Sequence, residues 1–207
     1  MIVYEQQLSG DMGWALREGS MHFEEQSAVH KTLRRITRRL DELGIPYALA
    51  GAMALFFHGY RRFTEDVNLL VTRQGLEEVH RQLDGLVYVP LFEGSKQLRD
   101  AETGVRVEFL VTGEYPGDGK PKPVSFPDPA AASVEAGDLH LLALPKLIEL
   151  KLASGMSSPR RLKDLADVQE LIDLLHLPAN FADQLNPSVA GKYRELWDSV
   201  QLNPREP

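Results

Sequence analysis

Between residues 24 and 43 the apolar positions Val29, Leu33, Ile36, Leu40 and Leu43 recur at intervals of three and four. That spacing places them on one side of an amphipathic helix. Gly44 stands just past its end, and Pro46 delivers the chain into a new pattern. Tyr47 to Ala50 is a short apolar run that predicts a buried strand. A small-residue turn at Gly51 opens a helix to His58, and a second strand follows from Asp66 to Val71, with the polar start Asp66-Val67-Asn68. Leu76, Val79, Leu83 and Leu86 mark another amphipathic helix over 74–86. Strands are expected at 87–91 and 96–100, and a firmer one at 105–111. In that last strand Val105, Val107, Phe109 and Val111 share one face while Arg106, Glu108 and Leu110 share the other.

Residues 113–129 are rich in Gly, Pro and Lys and read as a surface loop, followed by a strand-like piece at 132–135. Pro145 sits well at the first position of a helix that is expected to stop at Gly155. Ser158 and Pro159 then cap and open another helix, with the stripe Leu162, Leu165, Ile172 and Leu175. A last helix over 188–200 carries Val189, Tyr193, Leu196 and Trp197. Residues 1–20 show no clear period and are expected to form a loosely attached arm, with Trp14 and Leu16 as anchors. The alternation of strands and helices, ending in helices, predicts an α/β (α+β) protein. Its expected parts are an arm (1–20), a core with a small mixed sheet flanked by helices (21–112), a Gly/Pro-rich loop (113–131) and a mainly helical part (132–207) packed on the core as a single unit.

Composition narrows the classes. A chain of 207 residues with 43% hydrophobic and 26% charged residues has the profile of an ordinary globular protein. The net charge of -7 argues against a general nucleic-acid binder, because neutralising phosphates needs clustered Lys and Arg. Zero Cys removes disulfides, thiolate nucleophiles and Cys-type zinc sites together, which fits a reducing cytoplasm. No apolar run approaches the ~18 residues of a membrane span, and no signal peptide is readable. A cytoplasmic protein without membrane contact is expected.

The chemistry concentrates around the second strand. Asp66 and Asn68 are two apart and point to the same face, and Glu108 stands on the polar face of a later strand. If the strands are neighbours, the three converge. Carboxylates held close together repel unless a cation lies between them, and hard oxygen ligands suit Mg²⁺. The bland alternative is that Gly51 merely allows close packing and Asp66 caps a turn.

The segment AGAMALFFHGYRRFTEDVNLLV resembles the signature of the nucleotidyltransferase superfamily with the DNA polymerase β-like core. In that family a glycine turn opens a helix, an Arg-x-Thr follows, an Asp-x-Asp pair begins the next strand, and a third carboxylate comes from a later strand. Gly51-Ala52 stands for the glycine turn, Arg62 and Thr64 for Arg-x-Thr, Asp66 for the first Asp and Glu108 for the third carboxylate. Asn68 departs at the second Asp. An amide oxygen can still coordinate, but one negative charge is gone. Glu65 faces the opposite way and does not replace it. The later run LPKLIELKLASG…PRRLKDLADVQELIDLL resembles the C-terminal helices of the AbiEii-like, minimal nucleotidyltransferase-like branch. Lys151, Lys163, Asp164 and Asp167 hold the matching positions, although Lys163 and Asp167 also have the spacing of a surface helix pair.

The resemblance implies transfer of a nucleoside monophosphate from an NTP to a protein or tRNA acceptor, in a toxin–antitoxin or defence system with a cognate antitoxin-like partner. It implies Asp66, Asn68 and Glu108 as the catalytic and metal-holding set for Mg²⁺ or Mn²⁺. Gly51, Ala52, Arg62, Thr64, Lys151, Lys163 and Asp164 would be the nucleotide-binding set. Asn68 also allows a degenerate relative that binds a nucleotide or partner protein without catalysis. The six His residues show no metal-ligand spacing, and no Walker-type lysine loop or Rossmann glycine fingerprint is present.

Overall fold

The computed structural model describes residues 3–85 and 87–202 and divides into two compact units. The first comprises the chain through Phe57 together with Arg61–Thr112 and Asp128–Leu142. The second comprises His58–Tyr60, Gly113–Pro127 and the chain from Ala143 onward.

In the first unit the helices are α1 (Tyr4–Gly10), α2 (Met12–Phe23), α3 (Ala28–Glu42), α4 (Gly51–Phe57), α5 (Arg73–Leu83) and α6 (Pro129–Ala132). The strands are β1 (Tyr47–Ala50), β2 (Asp66–Val71), β3 (Tyr88–Pro90), β4 (Gln97–Asp100), β5 (Arg106–Val111), β6 (Ser133–Ala136) and β7 (Leu139–Leu142). They form one mixed sheet of seven strands in the order β3-β4-β5-β2-β1-β7-β6. The α/β expectation is met. Ser27 caps α3 by accepting from the His30 amide, and Thr72 caps α5 by accepting from Gly75 at 2.9 Å. On α3, Val29, Leu33, Ile36 and Leu40 are all buried, as their spacing requires, and on α5 so are Leu76, Val79 and Leu83. Leu86, the last position of that stripe, lies outside the described residues.

Three expectations are corrected here. Residues 4–20 are not a loose arm: they build α1 and most of α2, and Tyr4 is fully buried. Its hydroxyl donates to Glu18 at 3.0 Å, and the same carboxylate oxygen accepts the Ala28 amide at 3.0 Å. Trp14 stands edge-on to the Tyr4 ring, whereas Leu16 is exposed. What docks α2 is therefore polar, Glu18 and His22, which an apolar-period reading passes over. The second correction is β7. Leu139–Leu142 forms a strand parallel to β1 and antiparallel to β6, although the sequence runs on without a break into the next helix. Third, β6 and β7 belong to the first unit, so the chain returns to the sheet after the Gly/Pro-rich loop before entering its helical part.

The second unit carries α7 (Leu144–Ser157), α8 (Leu162–Leu174) and α9 (Pro187–Leu202), with single 3₁₀ segments at Pro159–Arg161 and Ala179–Gln184. Helix α7 does not stop at Gly155 but runs on to Ser157. A Cβ at Gly155 would lie 2.6 Å from the Leu165 side chain. The glycine is there for close approach of α7 and α8, not for termination.

Candidate active site

The antiparallel register of β1 and β2 sets Ala50 opposite Asn68, and the parallel register of β2 and β5 sets Asp66 opposite Arg106 and Asn68 opposite Glu108. Alternation along both strands buries Val67, Leu69, Val107 and Phe109 and leaves Asp66, Asn68, Arg106 and Glu108 half-exposed. Asp66, Asn68 and Glu108 thus share one face of adjacent strands.

Immediately after β1, Gly51 has φ +62°, a left-handed conformation, and begins α4. A Cβ there would stand 3.0 Å from both Cβ and Cγ of Asn68. Backbone conformation and space both demand glycine, because the Asn68 amide packs directly on the turn. Ala52, the next residue, is buried. Helix α4 has only seven residues, so its macrodipole is that of a single pair of turns.

Both oxygens of Asp66 are engaged. Oδ1 accepts from the buried Thr64 hydroxyl at 2.9 Å, and Oδ2 accepts from Arg106 Nη2 at 3.2 Å. Glu108 Oε1 accepts from Gln97 Nε2 at 3.4 Å across β4 and β5. Partial burial works against the Arg106 charge, but Asp66 beside it, with Glu5 and Glu108, outweighs that and holds the guanidinium above its ordinary pKa. Arg62 is half-exposed; its Nη1 donates to the Phe63 carbonyl at 3.4 Å, and its own carbonyl lies 3.1 Å from His22 Nε2.

The remaining sequence-expected residues belong to the second unit. Lys151 on α7 is buried, and its Nζ donates to Asp164 Oδ1 at 3.0 Å and to Asp167 Oδ2 at 2.7 Å. Asp164 also accepts from the Ser154 hydroxyl at 2.6 Å. Burial alone would raise the Asp164 pKa, yet Lys151, the Ser154 hydrogen bond and Arg161 carry it below the usual carboxylate range. Asp167, almost wholly buried, is therefore tied to Lys151 across two helices and is not the surface partner of Lys163 that the i, i+4 spacing suggested. Lys163 itself is exposed.

Arg106 is the residue that sequence reasoning left unused. Its signal was present: it shares the polar face of β5 with Glu108. Only the register shows that it stands opposite Asp66. The buried pair His22 and His30 was likewise invisible, because α2 and α3 bring them together in space: the Ser27 hydroxyl lies 3.4 Å from His22 Nδ1 and 3.0 Å from His30 Nδ1.

The face does not fit a resident divalent metal as it stands. Two carboxylates face it instead of three, one of them is bridged to a guanidinium, and among the described residues no three His, Asp or Glu side chains converge on one ion.

No family model matches the chain, and no curated protein matches it. Among solved structures it is similar to the antibiotic-resistance factor ANT(2″)-Ia in complex with adenylyl-2″-tobramycin, at 13% identity and TM-score 0.48 over 83% of this chain and 97% of that one. It is also similar to a nucleotidyltransferase-like protein from Paracoccidioides brasiliensis, at 16% identity and TM-score 0.49 over 84% and 88%. A third likeness is to a nucleotidyltransferase assigned in Thermotoga maritima, at 17% identity and TM-score 0.46 over 66% and 91%.

Proposed function

We propose that this chain binds a nucleoside triphosphate on the face formed by Asp66, Asn68, Glu108 and the Gly51 turn, and that it does so without metal-dependent transfer. The observation that supports the reading is the register itself. Asp66, Asn68 and Glu108 stand on one face, with Asn68 wedged against Gly51, and that face is a carboxylate short of the signature. In-line transfer by two metals needs ligands that hold both ions against the attacking and leaving oxygens. An amide, a salt-bridged Asp66 and Glu108 offer too little negative charge for that. Gly51, Ala52, Arg62 and Thr64 line or support the nucleotide side in this reading. Lys151 and Asp164 serve the second unit as a buried ion cluster, and Lys163 stays open to solvent.

Metal-dependent transfer is the second reading, favoured by Asp66 and Glu108 sharing one face of paired strands. A protein hydroxyl or tRNA end as acceptor, Mg²⁺ or Mn²⁺ as cofactor and an antitoxin-like partner all belong to it. Thermal-shift titration with ATP, GTP, CTP and UTP separates the two. Binding without transfer expects stabilisation in EDTA comparable to that in Mg²⁺, and no label passing from NTP to the protein itself or to tRNA. Label transfer with Mg²⁺ that disappears in Asp66→Ala would establish the second reading instead. No thermal shift with any nucleotide would remove both.

A further inference from the structure

A guanidinium placed between carboxylates does electrostatically what a bound cation does. Arg106 stands directly opposite Asp66 on the neighbouring strand and donates to its Oδ2 at 3.2 Å. Thr64 takes the other Asp66 oxygen at 2.9 Å, so the side chain that would lead a metal site has no oxygen left uncommitted. Glu108 is the neighbour of Arg106 on the same strand face, two positions on. On β2 and β5 the face therefore carries two negative charges, Asp66 and Glu108, and one positive, Arg106, where three carboxylates would have carried three negative. The Arg106 side chain is about one-third exposed, but its Nε is enclosed and has no hydrogen-bond partner. The exposed part of the guanidinium, not that enclosed Nε, is what an incoming anionic group can meet.

We infer that Arg106 is the resident cation of this face: it neutralises Asp66 in place of a divalent metal and excludes that metal. The inference deepens the nucleotide-binding reading, but the metal measurement does not depend on it. The departure from the signature at Asn68 then has an explanation. With Arg106 paired to Asp66, a second Asp at position 68 is no longer required to balance an ion, and Asn68 can give its amide to packing on Gly51. Like charges repel, so a dication entering beside Arg106 has to break the ion pair first.

The test is a Mn²⁺ titration followed by the paramagnetic resonance of the free ion, with nucleotide absent. The wild type is expected to hold Mn²⁺ at least about tenfold more weakly than the Arg106→Ala/Asn68→Asp double variant. Asn68→Asp alone is expected to gain less than about threefold, because Arg106 still occupies Asp66. The proposal is overturned if Asn68→Asp alone, or the wild type, binds as tightly as the double variant. It is equally overturned if a double variant with native circular dichroism gains nothing. Should Arg106→Ala/Asn68→Asp fail to fold, Arg106→Gln/Asn68→Asp carries the same comparison. ATP thermal shifts in EDTA on the same proteins report separately on nucleotide binding: their absence sinks the proposed function and leaves the metal result standing.

Discussion

Two clusters in this molecule are built from the same parts, a cation held between carboxylates, and burial makes them different objects. In the second unit Lys151 is 6% exposed and Asp167 2%, with both ammonium hydrogen bonds satisfied by α8. In the first unit the Arg106 and Asp66 side chains are 34% and 21% exposed, on a strand face. The buried cluster ties helices together and offers little to an incoming molecule. The open one has little structural weight and keeps both charges partly accessible to water. The contrast teaches that charge pattern alone does not identify a site; what matters is which charges water and ligands can still reach.

The largest effect that can break this contrast is in the buried cluster. Lys151→Ala leaves Asp167 charged and enclosed, and a loss of about 3–5 kcal/mol is expected from urea unfolding. A loss under about 1 kcal/mol would mean that water enters the cluster and that the two regions are alike.

Acid comes next in size, because it strikes buried groups in a fixed order. Burial, with His22 and Arg34 nearby, lowers the His30 pKa from 6.5 to about 4. The neutral ring is favoured in the fold, so the associated stability is complete above about pH 6.5 and falls as pH drops towards 4. A loss on the order of 2–3 kcal/mol over that window is expected, and it should be reduced in His30→Leu but not abolished, because burial also lowers the pKa of His22 beside it. Asp164 has its pKa held below 3.8, so its contribution survives that window and is lost only at lower pH. Urea midpoints at pH 7, 5.5 and 4.5 check the order, with Trp14 reporting on the first unit and Trp197 on the second.

Gly51→Ala is smaller. The left-handed φ costs a non-glycine residue about 1–2 kcal/mol, and the added methyl must displace Asn68. The variant is expected to lose its ATP-induced thermal shift along with that stability. Smallest of all is Arg106→Ala, for which chemical denaturation should show less than about 1 kcal/mol, as for other half-exposed ion pairs. If Arg106→Ala instead costs as much as Lys151→Ala, the open cluster is structural after all.

Much of the frame was legible from the residues. The apolar period of α3, the limits of β1 and β2 and the two faces of β5 follow from side-chain direction, which repeats every 3.6 residues in a helix and every two in a strand. Gly51 and the Asp-x-Asn start of β2 were legible for the same local reason. Less legible were segments whose partners are remote. The four residues of β7 form an apolar run that merges into α7, and only pairing with β1 and β6 makes them a strand. The docking of α1 and α2 rests on Tyr4 and Glu18, side chains whose burial no periodicity announces.

By itself, then, the sequence determined which side chains face the same way along each element, because direction is a property of neighbouring residues. Only the tertiary structure decided which faces meet. Strand order and register set Arg106 against Asp66, and the approach of α7 to α8 allowed by Gly155 closed Lys151 onto Asp167. Ion pairs depend on distances between residues far apart in the chain, here 40 positions for Arg106 and Asp66 and 16 for Lys151 and Asp167. Such distances are fixed by packing and hydrogen-bond register, not by the local pattern of either segment.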